Sequence, residues 1–298
     1  MSPEEGQAAE GRAAMTCQVM ERPRLPGYPH RMIGTATAVG DHLREWRQRR
    51  RLSQLDLACE AEISTRHLSF VETGRAQPSR DMVLRLADQL EIPLRERNVI
   101  LVAAGFAPVF PQRALDDPAL AAARRAVDLI LAGHEPHPAL AVDRGWNLVA
   151  ANRMVAPMMA MADEDLLKGP INVLRVSLHP RGLARHIVNL HEWRAHLLER
   201  LRREAELTAD PRLTDLLTEL KAYPIPGGQP PRKASDEYAG VAVPFQLRAG
   251  DGRILSFYST TTVFGTAVDI TLSELTLETF FPADPETAEV VRGMAANL

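Results

Sequence analysis

Cysteine is scarce in this chain of 298 residues, which carries only Cys17 and Cys59. Two cysteines cannot form the disulfide framework of a small secreted protein, and they fit a reducing compartment. Apolar runs of membrane-spanning length are missing, and the first residues lack the apolar core of a signal peptide. The sequence therefore predicts a cytoplasmic protein that makes no contact with a membrane.

Lysine is also scarce, at Lys168, Lys221 and Lys233, whereas arginine is spread along the whole chain. The formal net charge is −3, so a nucleic-acid site would have to be a local basic patch. A hydrophobic content of 45% and a charged content of 24% are typical of a globular protein. The length is enough for two domains, each with its own core.

The stretch NLHEWRAHLLER, residues 189–200, comes close to the H-E-x-x-H motif of zinc peptidases. Its histidines, His191 and His196, are five residues apart instead of four, which turns them about 140° apart on a helix rather than about 40°. No histidine falls in the strands predicted between residues 240 and 281, where a metal-binding cupin would need one. A glycine-rich phosphate loop is missing too. We therefore expect no catalytic residue, no metal ion and no cofactor.

The same stretch fits a core helix that happens to carry histidines. His186, His191 and His196 recur every five residues and so spiral around the predicted helix. Apolar residues recur instead every three or four positions, which predicts one buried face. This apolar stripe consists of Leu183, Ile187, Leu190, Trp193, Leu197 and Leu201.

The pattern of apolar residues and helix breakers divides the chain. Residues 1–35 are predicted to be a disordered tail, and a later methionine is an alternative start: Met15, Met20 or Met32. Residues 36–106 are helical in pattern throughout, and the Pro-rich residues 107–118 are predicted to be a linker. Residues 119–298 mix helical and strand patterns. We therefore expect an all-α N-terminal domain followed by an α+β domain.

Within the first domain, the residues from Gln54 onward match the pattern of a helix-turn-helix. The fifth position must be small where the two helices cross, and it is Ala58. Ser53 and Ser64 are N-caps for the two helices. The positions that should be apolar are Leu57, Ala61, Ile63, Leu68 and Val71. The turn position, commonly glycine, is Glu62, and a non-glycine residue at positive φ costs on the order of 1 kcal/mol.

On these residues the segment 38–104 resembles the XRE family of phage-repressor-like, lambda-repressor-like DNA-binding domains. The resemblance implies that the helix starting at Ser64 enters the major groove of double-stranded operator DNA. Arg66 could then bond a guanine bidentately, and Phe70 could touch a thymine methyl. The implied DNA-binding residues are Gln54, Ser64, Thr65, Arg66, His67, Ser69, Phe70, Thr73, Arg75 and Arg44. An ordinary solvated surface remains the alternative interpretation of Arg44 and Arg75.

The second domain begins with PALAVDRGWNLVAANRM, which predicts two short strands, a tight turn and a helix. Further on, YAGVAVPFQLR and RILSFYSTTTVF flank the turn AGDG and predict a hairpin. VDITLSELTLETFF is predicted to be a third strand, and DPETAEVVRGMAANL a closing helix capped by Asp284. A long helix is predicted from Arg181 to about Thr208.

The first of these blocks, together with LSFYSTTTVFGTAVDITLSELTLETFFPAD, resembles the MmyB-like ligand-binding domain found behind XRE domains in bacterial regulators. The resemblance runs from about residue 113 to the C-terminus. It implies a PAS-like fold, transcription regulation and a small apolar ligand, for which fatty-acid-like molecules are plausible. The block RMVAPMMAM is rich in methionine, which suits an adaptable apolar surface. The residues predicted to bind the ligand are Trp146, Asn152, Met158, Trp193, Phe245, Phe257, Tyr258 and Thr260, with ordinary core packing as the alternative for each.

We therefore expect a sequence-specific transcription regulator that acts as a homodimer, because one short recognition helix reads too few bases for a unique site. The alternative is a DNA-binding protein whose second domain is a non-sensing dimerisation or partner-binding module. A large sealed apolar cavity would favour sensing, and a filled core with an exposed apolar patch would favour assembly.

Overall fold

The computed structural model describes residues 38–225 and 243–298. The predicted disordered tail, residues 1–35, lies outside the described residues. So do most of the predicted loop PIPGGQPPRKASDE and the first part of the strand predicted at YAGVAVPFQLR. No helix among the described residues is long and apolar enough to cross a bilayer.

Five helices form the N-terminal domain: α1 (Val39–Arg49), α2 (Gln54–Glu60), α3 (Thr65–Glu72), α4 (Arg80–Gln89) and α5 (Leu94–Ala103). The predicted caps are confirmed, since the Ser53 hydroxyl accepts from the Asp56 amide and the Ser64 hydroxyl accepts from the His67 amide. Glu62 adopts a φ of 54° at the turn between α2 and α3, as the motif requires. The helix-turn-helix predicted from the sequence is therefore formed.

The predicted apolar positions of the motif make the centre of the N-terminal core. Leu57, Ala61, Leu68 and Val71 are fully buried, and Ile63 packs against them from a partly buried position. Gly40 in α1 permits the close approach of α1 to the end of α3. A Cβ at this position would collide with the Val71 carbonyl oxygen, so a larger residue cannot be accommodated without a shift of the helices.

A five-stranded antiparallel sheet in the order β2-β1-β5-β4-β3 forms the centre of the second domain. The strands are β1 (Ala139–Val142), β2 (Leu148–Ala151), β3 (Phe245–Arg248), β4 (Ile254–Val263) and β5 (Thr276–Pro282). The α-helices among the described residues of this domain are α6 (Ala121–Gly133), α7 (Ala156–Met159), α8 (Val173–Leu178), α9 (Leu190–Thr208), α10 (Pro211–Ala222), α11 (Ile270–Ser273) and α12 (Pro285–Ala296). The described part is therefore an α+β domain, as expected.

The two faces of the sheet have different coverings because neighbouring side chains of a strand point to opposite sides. On β1, Ala139 and Ala141 face α6 and pack with its Val127 and Leu131. Leu140 and Val142 belong to a much larger core on the other face, built with α8, α9, α10 and α12. The apolar stripe predicted on the long helix is buried in this larger core.

Two boundaries in this domain differ from the prediction. The helix predicted from Arg181 to Thr208 is interrupted, because residues 186–189 run alongside β3. The Val188 amide donates to the Gln246 carbonyl, and the Arg248 amide donates to the His186 carbonyl. These bonds satisfy backbone groups of the edge strand, and α9 starts only afterwards at Leu190.

The strand predicted over VDITLSELTLETFF covers only its second half. Asp269 caps the short helix α11 by accepting from the Thr271 amide, and β5 begins at Thr276. The Asp269 carboxylate also pairs with Arg113 at 3.1 Å. The capping bond favours a helical turn over the extended conformation that the β-branched residues favour.

Candidate functional site

The exposed side of α3 carries an aromatic ring between two arginines. Arg66 is exposed, and its Cζ lies 5.3 Å from the centroid of the Phe70 ring. Arg75, also exposed, lies 6.0 Å from the same centroid. Both guanidinium groups sit near the ring face, a geometry that is mildly attractive and limits their motion. The structure thus brings together three of the predicted DNA-binding residues.

A buried glutamate orders the side chains next to this surface. The Arg47 guanidinium donates two hydrogen bonds to the Glu72 carboxylate, at 2.7 and 2.8 Å, and Gln54 Nε2 donates a third at 2.8 Å. Arg44 donates to the Glu72 backbone carbonyl. Burial by itself raises the pKa of Glu72, but these hydrogen bonds and the charges of Arg47 and Arg44 outweigh it and hold the pKa below its ordinary value. Gln54 and Arg44 are therefore held in place by contacts within the protein.

Sequence reasoning missed Glu72 and Arg47. A signal was available, because Glu72 follows Leu68 by four residues and so lies on the buried stripe of α3. A carboxylate at such a position needs a cationic partner. The identity of that partner, 25 residues earlier in the chain, was not readable from local spacing.

The remaining predicted DNA residues have varied contacts. His67 Nε2 lies 3.2 Å from the sulfur of Met82, so its ring rests against α4. The Thr73 hydroxyl donates to the Ser69 carbonyl at 2.7 Å. Ser64 uses its hydroxyl as the cap. Thr65 and Ser69 are one helical turn apart and partly buried.

A cavity of about 70 Å³ lies between the sheet and the helices of the larger core. Four of the predicted ligand-binding residues line it: Trp146, Met158, Trp193 and Phe245. The Trp193 and Phe245 rings are 4.9 Å apart. Trp146 has a φ of 62°, which is unusual for a bulky residue, and its turn is held by the Asp143 carboxylate, which accepts from two backbone amides. The cavity wall is thus aromatic, and a tight turn places Trp146 in it.

A second cavity, of about 170 Å³, shares Met158 with the first. Met154, Met161, Met294 and Phe257 contribute to its lining, and Met158 contributes to both cavities. Methionine side chains are flexible, so a rotation of Met158 would change the shape of both spaces. The methionine-rich block predicted to form an adaptable surface therefore lines them.

Three predicted ligand-binding residues line neither cavity. Asn152 is buried, and its amide donates to the Leu131 and His137 carbonyls. Tyr258 and Thr260 lie on the opposite side of β4 from Phe257, because strand residues alternate in direction. The Thr260 hydroxyl lies 2.6 Å from that of Thr279.

The smaller cavity ends at an ion pair that sequence reasoning missed. Arg200 donates to both carboxylate oxygens of Glu278, and Thr261 donates to the same carboxylate at 3.1 Å. The Arg200 side chain is 26% exposed and that of Glu278 is 6% exposed. Arg200 also lies 4.6 Å from the Trp146 ring, whose Nε1 donates to Glu204 at 2.9 Å. The sequence signal was a glutamate inside the apolar strand TLETFF.

Charged residues also join the two domains. Arg95 of α5 donates to both carboxylate oxygens of Glu274, each at 2.8 Å. Arg144 pairs with Glu274 at 3.2 Å and with the buried Asp210. Burial raises the pKa of the neighbouring Glu96 carboxyl, and the charges of Arg144 and Arg95 oppose this shift. We call these five residues the interdomain cluster.

Two further contacts support the same interface. The predicted linker is held on both sides, because Asn98 of α5 bonds the backbone of Phe110, while the Thr271 hydroxyl donates to the Arg113 carbonyl. Arg50 donates to the Leu207 carbonyl at the end of α9 at 3.4 Å. The N-terminal domain therefore contacts the end of the helix whose middle lines the smaller cavity.

Nothing among the described residues brings three or more histidine, cysteine, aspartate or glutamate side chains into an arrangement that could hold a metal ion. His196 instead stacks on Trp193 at 5.6 Å. Burial lowers the pKa of His196, and the charge of Arg200 lowers it further.

Comparison with known families matches both halves of this architecture. A model of a helix-turn-helix domain family matches residues 38–99, and the model described as the MmyB-like transcription regulator ligand binding domain matches residues 123–294. The chain belongs to the MmyB-like family. It is a DNA-binding transcription regulator with a ligand-binding domain, and the resemblances and fold class predicted from the sequence are confirmed. Both matching families consist of regulator domains rather than enzymes.

No curated protein matches the regulator. One solved structure that it matches is described as "Structure of an RNA-binding Light-Oxygen-Voltage Receptor". The match has 14% sequence identity and covers 87% of this chain and 62% of that chain, with a TM-score of 0.24. A similarity this low supports no structural conclusion.

Proposed function

We propose that the regulator binds a DNA operator in the cytoplasm as a homodimer and senses a small apolar ligand, with a chain like that of a fatty acid. Trp146 carries this proposal. It lines the smaller cavity and lies two residues after Arg144, which pairs with residues of the interdomain cluster. A molecule that moves Trp146 therefore acts on the contact between the two domains.

The DNA contact is assigned to the exposed side of α3. Arg66 carries a charged fork that matches the two acceptors of guanine, and Phe70 presents an apolar face of the kind that contacts a thymine methyl. Arg75, Gln54 and Arg44 flank this surface and suit phosphate contacts. The hydrogen bonds around Glu72 orient Gln54 and Arg44 in advance, which lowers the entropy lost on binding.

The cavities are small for their proposed role. Ligand pockets in proteins commonly have volumes of about 300–1,000 Å³, whereas these two have about 70 and 170 Å³. A chain-like ligand must therefore displace Met158 and join the two spaces. The adjacent walls, formed by Trp146 and α9, would be pushed outward by the same event.

Two segments then carry the movement toward the DNA-binding domain. The turn with Trp146 holds Arg144, and α9 ends at Leu207, whose carbonyl accepts from Arg50. If the liganded and empty cavities favour different positions of these segments, the ligand shifts the population of domain arrangements that fit the operator. Coupling free energies of this kind are typically about 1–3 kcal/mol.

The test is a titration of the full-length protein against labelled DNA from upstream of its own gene, at several salt concentrations. Cell lipid extract and a twelve-carbon alcohol serve as ligand probes. We expect tight sequence-selective binding that changes at least about fivefold with a probe. Sequence-selective binding that no probe changes, together with an unchanged oligomeric state, would remove the basis for sensing.

A non-sensing assembly module is the second candidate, and exposed apolar residues favour it. Leu129 of α6 is 73% exposed and Phe281 of β5 is 44% exposed. Phe281 packs against the ring of His134 at 4.7 Å, at the end of α6. Light scattering of Leu129→Glu decides whether this surface holds the homodimer, because a dimer built on it would dissociate while the cavities stay intact.

A further inference from the structure

The charged end of the smaller cavity limits which head group its ligand can have. Four side chains in the lining are polar, namely Ser177, Ser259, Arg200 and Glu278, and the rest of the lining is apolar or aromatic. The Ser177 hydroxyl accepts from Trp193 Nε1 at 3.1 Å and so keeps its own proton for a further acceptor. Any polar group on the ligand must meet these side chains.

Arg200 is already engaged by two residues of this lining. Its guanidinium bonds both oxygens of Glu278 and lies 4.6 Å from the Trp146 ring. A second carboxyl group, Glu204, stands behind Trp146 and accepts from its indole nitrogen. Burial raises the pKa of Glu204, and the charge of Glu278 contributes to that shift. One arginine thus faces two carboxyl groups.

A ligand with an anionic head group should therefore bind weakly in this cavity. To take the two Arg200 donors that hold Glu278, a carboxylate must displace Glu278, which would then be buried without its charged partner. If it leaves the pair intact, it stands beside a like charge in surroundings of low polarity. A hydroxyl or amide head avoids both costs, because it can bond the serine hydroxyls and the outer side of the ion pair without adding charge.

We propose that this cavity selects amphiphiles with an uncharged hydroxyl or amide head over carboxylates of the same chain length. The proposal rests on the ligand-sensing function given above, and it makes Arg200 and Glu278 the residues that determine specificity. It predicts that neutralising Glu278 changes the preference, because Arg200 then becomes an unpaired cation facing the ligand.

The experiment compares 1-dodecanol with dodecanoate at about pH 8, where a carboxylic acid is ionised. Full-length protein is titrated with each below its micelle concentration, and binding is followed by tryptophan fluorescence, since Trp146 and Trp193 line the cavity. We expect the alcohol to bind wild type at least about tenfold more tightly. Glu278→Gln should gain at least about tenfold in dodecanoate affinity while its alcohol affinity changes little. Glu206→Gln, on an exposed position of the same helix as Arg200, is the matched control and should behave like wild type.

The outcomes separate the two proposals. Wild type that binds dodecanoate as tightly as the alcohol would overturn the head-group proposal and leave the sensing function standing. Binding of neither probe, in protein whose circular dichroism shows it folded, would overturn both. If the Glu278→Gln protein unfolds, the difference between the two probes on wild type still decides the head-group proposal.

Discussion

Both domains of the regulator bury a glutamate against an arginine, and the two sites differ in what lies beside the carboxylate. Glu72 accepts from Arg47 and Gln54 within a core whose neighbouring residues are fully buried. Glu278 accepts from Arg200 and Thr261, and it borders a cavity. The same pairing of glutamate with arginine therefore lies in a filled core in one domain and at the edge of a cavity in the other.

The cores follow the same division. Leucine, alanine, valine and isoleucine, together with Trp46, make up the fully buried N-terminal core, and neither of the two cavities lies in it. Methionines and aromatic rings line the two cavities described above in the second domain. A closely packed core keeps the residues on the domain surface, such as Arg66 and Phe70, in fixed positions. A core that contains cavities has room for a small molecule inside it.

The largest effect on stability should come from removing the buried carboxylate of the N-terminal domain. Glu72→Ala leaves the arginines around it without their carboxylate, and removing one partner of a buried pair costs about 3–5 kcal/mol. Urea denaturation followed by circular dichroism measures the loss in the free energy of unfolding. Glu199→Ala, on an exposed ion pair of α9, is the control and should change stability by about 1 kcal/mol or less. Equal effects of the two substitutions would contradict the comparison.

The stability supplied by Glu72 should also depend on pH. Its pKa is lower in the folded protein than the ordinary value of 4.5, so its contribution is complete above that value and disappears as the pH falls through the folded pKa. The difference in unfolding free energy between wild type and Glu72→Gln should therefore shrink in acid. A difference that stays constant from neutral pH down to about pH 3 would rule out the charge of Glu72 as its source.

Substitution of Arg66 tests the exposed side of α3, which lies outside the closely packed core. Arg66→Ala should weaken operator binding by about 1–3 kcal/mol and relax the preference at one base position, with stability nearly unchanged. Titration of labelled DNA with the variant and with wild type measures this change in operator affinity. Arg125→Ala, on the exposed surface of α6, is the control. Operator affinity equal to wild type at the same salt concentration would show that α3 is placed wrongly on the DNA.

Local patterns predicted the N-terminal domain well because its determinants are close in sequence. The caps Ser53 and Ser64 and the small residue Ala58 each act within one or two helical turns. The second domain depends on distant partners instead. Arg95 and Glu274 are 179 residues apart, and residues 186–189 leave the helical conformation because β3 lies beside them. No local periodicity contains that information.

The two candidate sites differ in the same way: local sequence patterns predict the surface of α3 better than they predict the cavity. The side of α3 that carries Arg66 and Phe70 follows from helix geometry alone. For the cavity, composition singles out Met158 and the aromatic residues. It does not indicate which side of β4 faces the large core, and Tyr258 and Thr260 lie on the other side. The Arg200–Glu278 pair joins residues 78 positions apart, and the apolar stripe of α9 gave no reason to include it.

Arg144 tests whether the two regions communicate. Arg144→Ala removes the bridge between Asp210 and Glu274 and should reduce the effect of a ligand probe on DNA affinity by about 1 kcal/mol or more. Ligand affinity and DNA affinity measured separately should change little, because Arg144 lies in neither site. Arg181→Ala, which breaks a surface ion pair with Asp163, is the control. An undiminished ligand effect in Arg144→Ala would exclude this route.

The smallest effect concerns Arg75, where a phosphate contact and a solvated side chain remain alternatives. Arg75 is exposed, and its Cζ lies 6.0 Å from the centroid of the Phe70 ring, while that of Arg66 lies 5.3 Å from the same centroid. A duplex that contacts Arg66 therefore also comes near Arg75. If Arg75 meets a phosphate, Arg75→Ala should lower the slope of log affinity against log salt by about 0.9 and weaken all DNA sequences alike. If the side chain is merely solvated, the slope stays as in wild type. Arg66→Ala should instead change the preference for DNA sequence. The two substitutions together therefore distinguish a residue that contacts a base from one that contacts the DNA backbone.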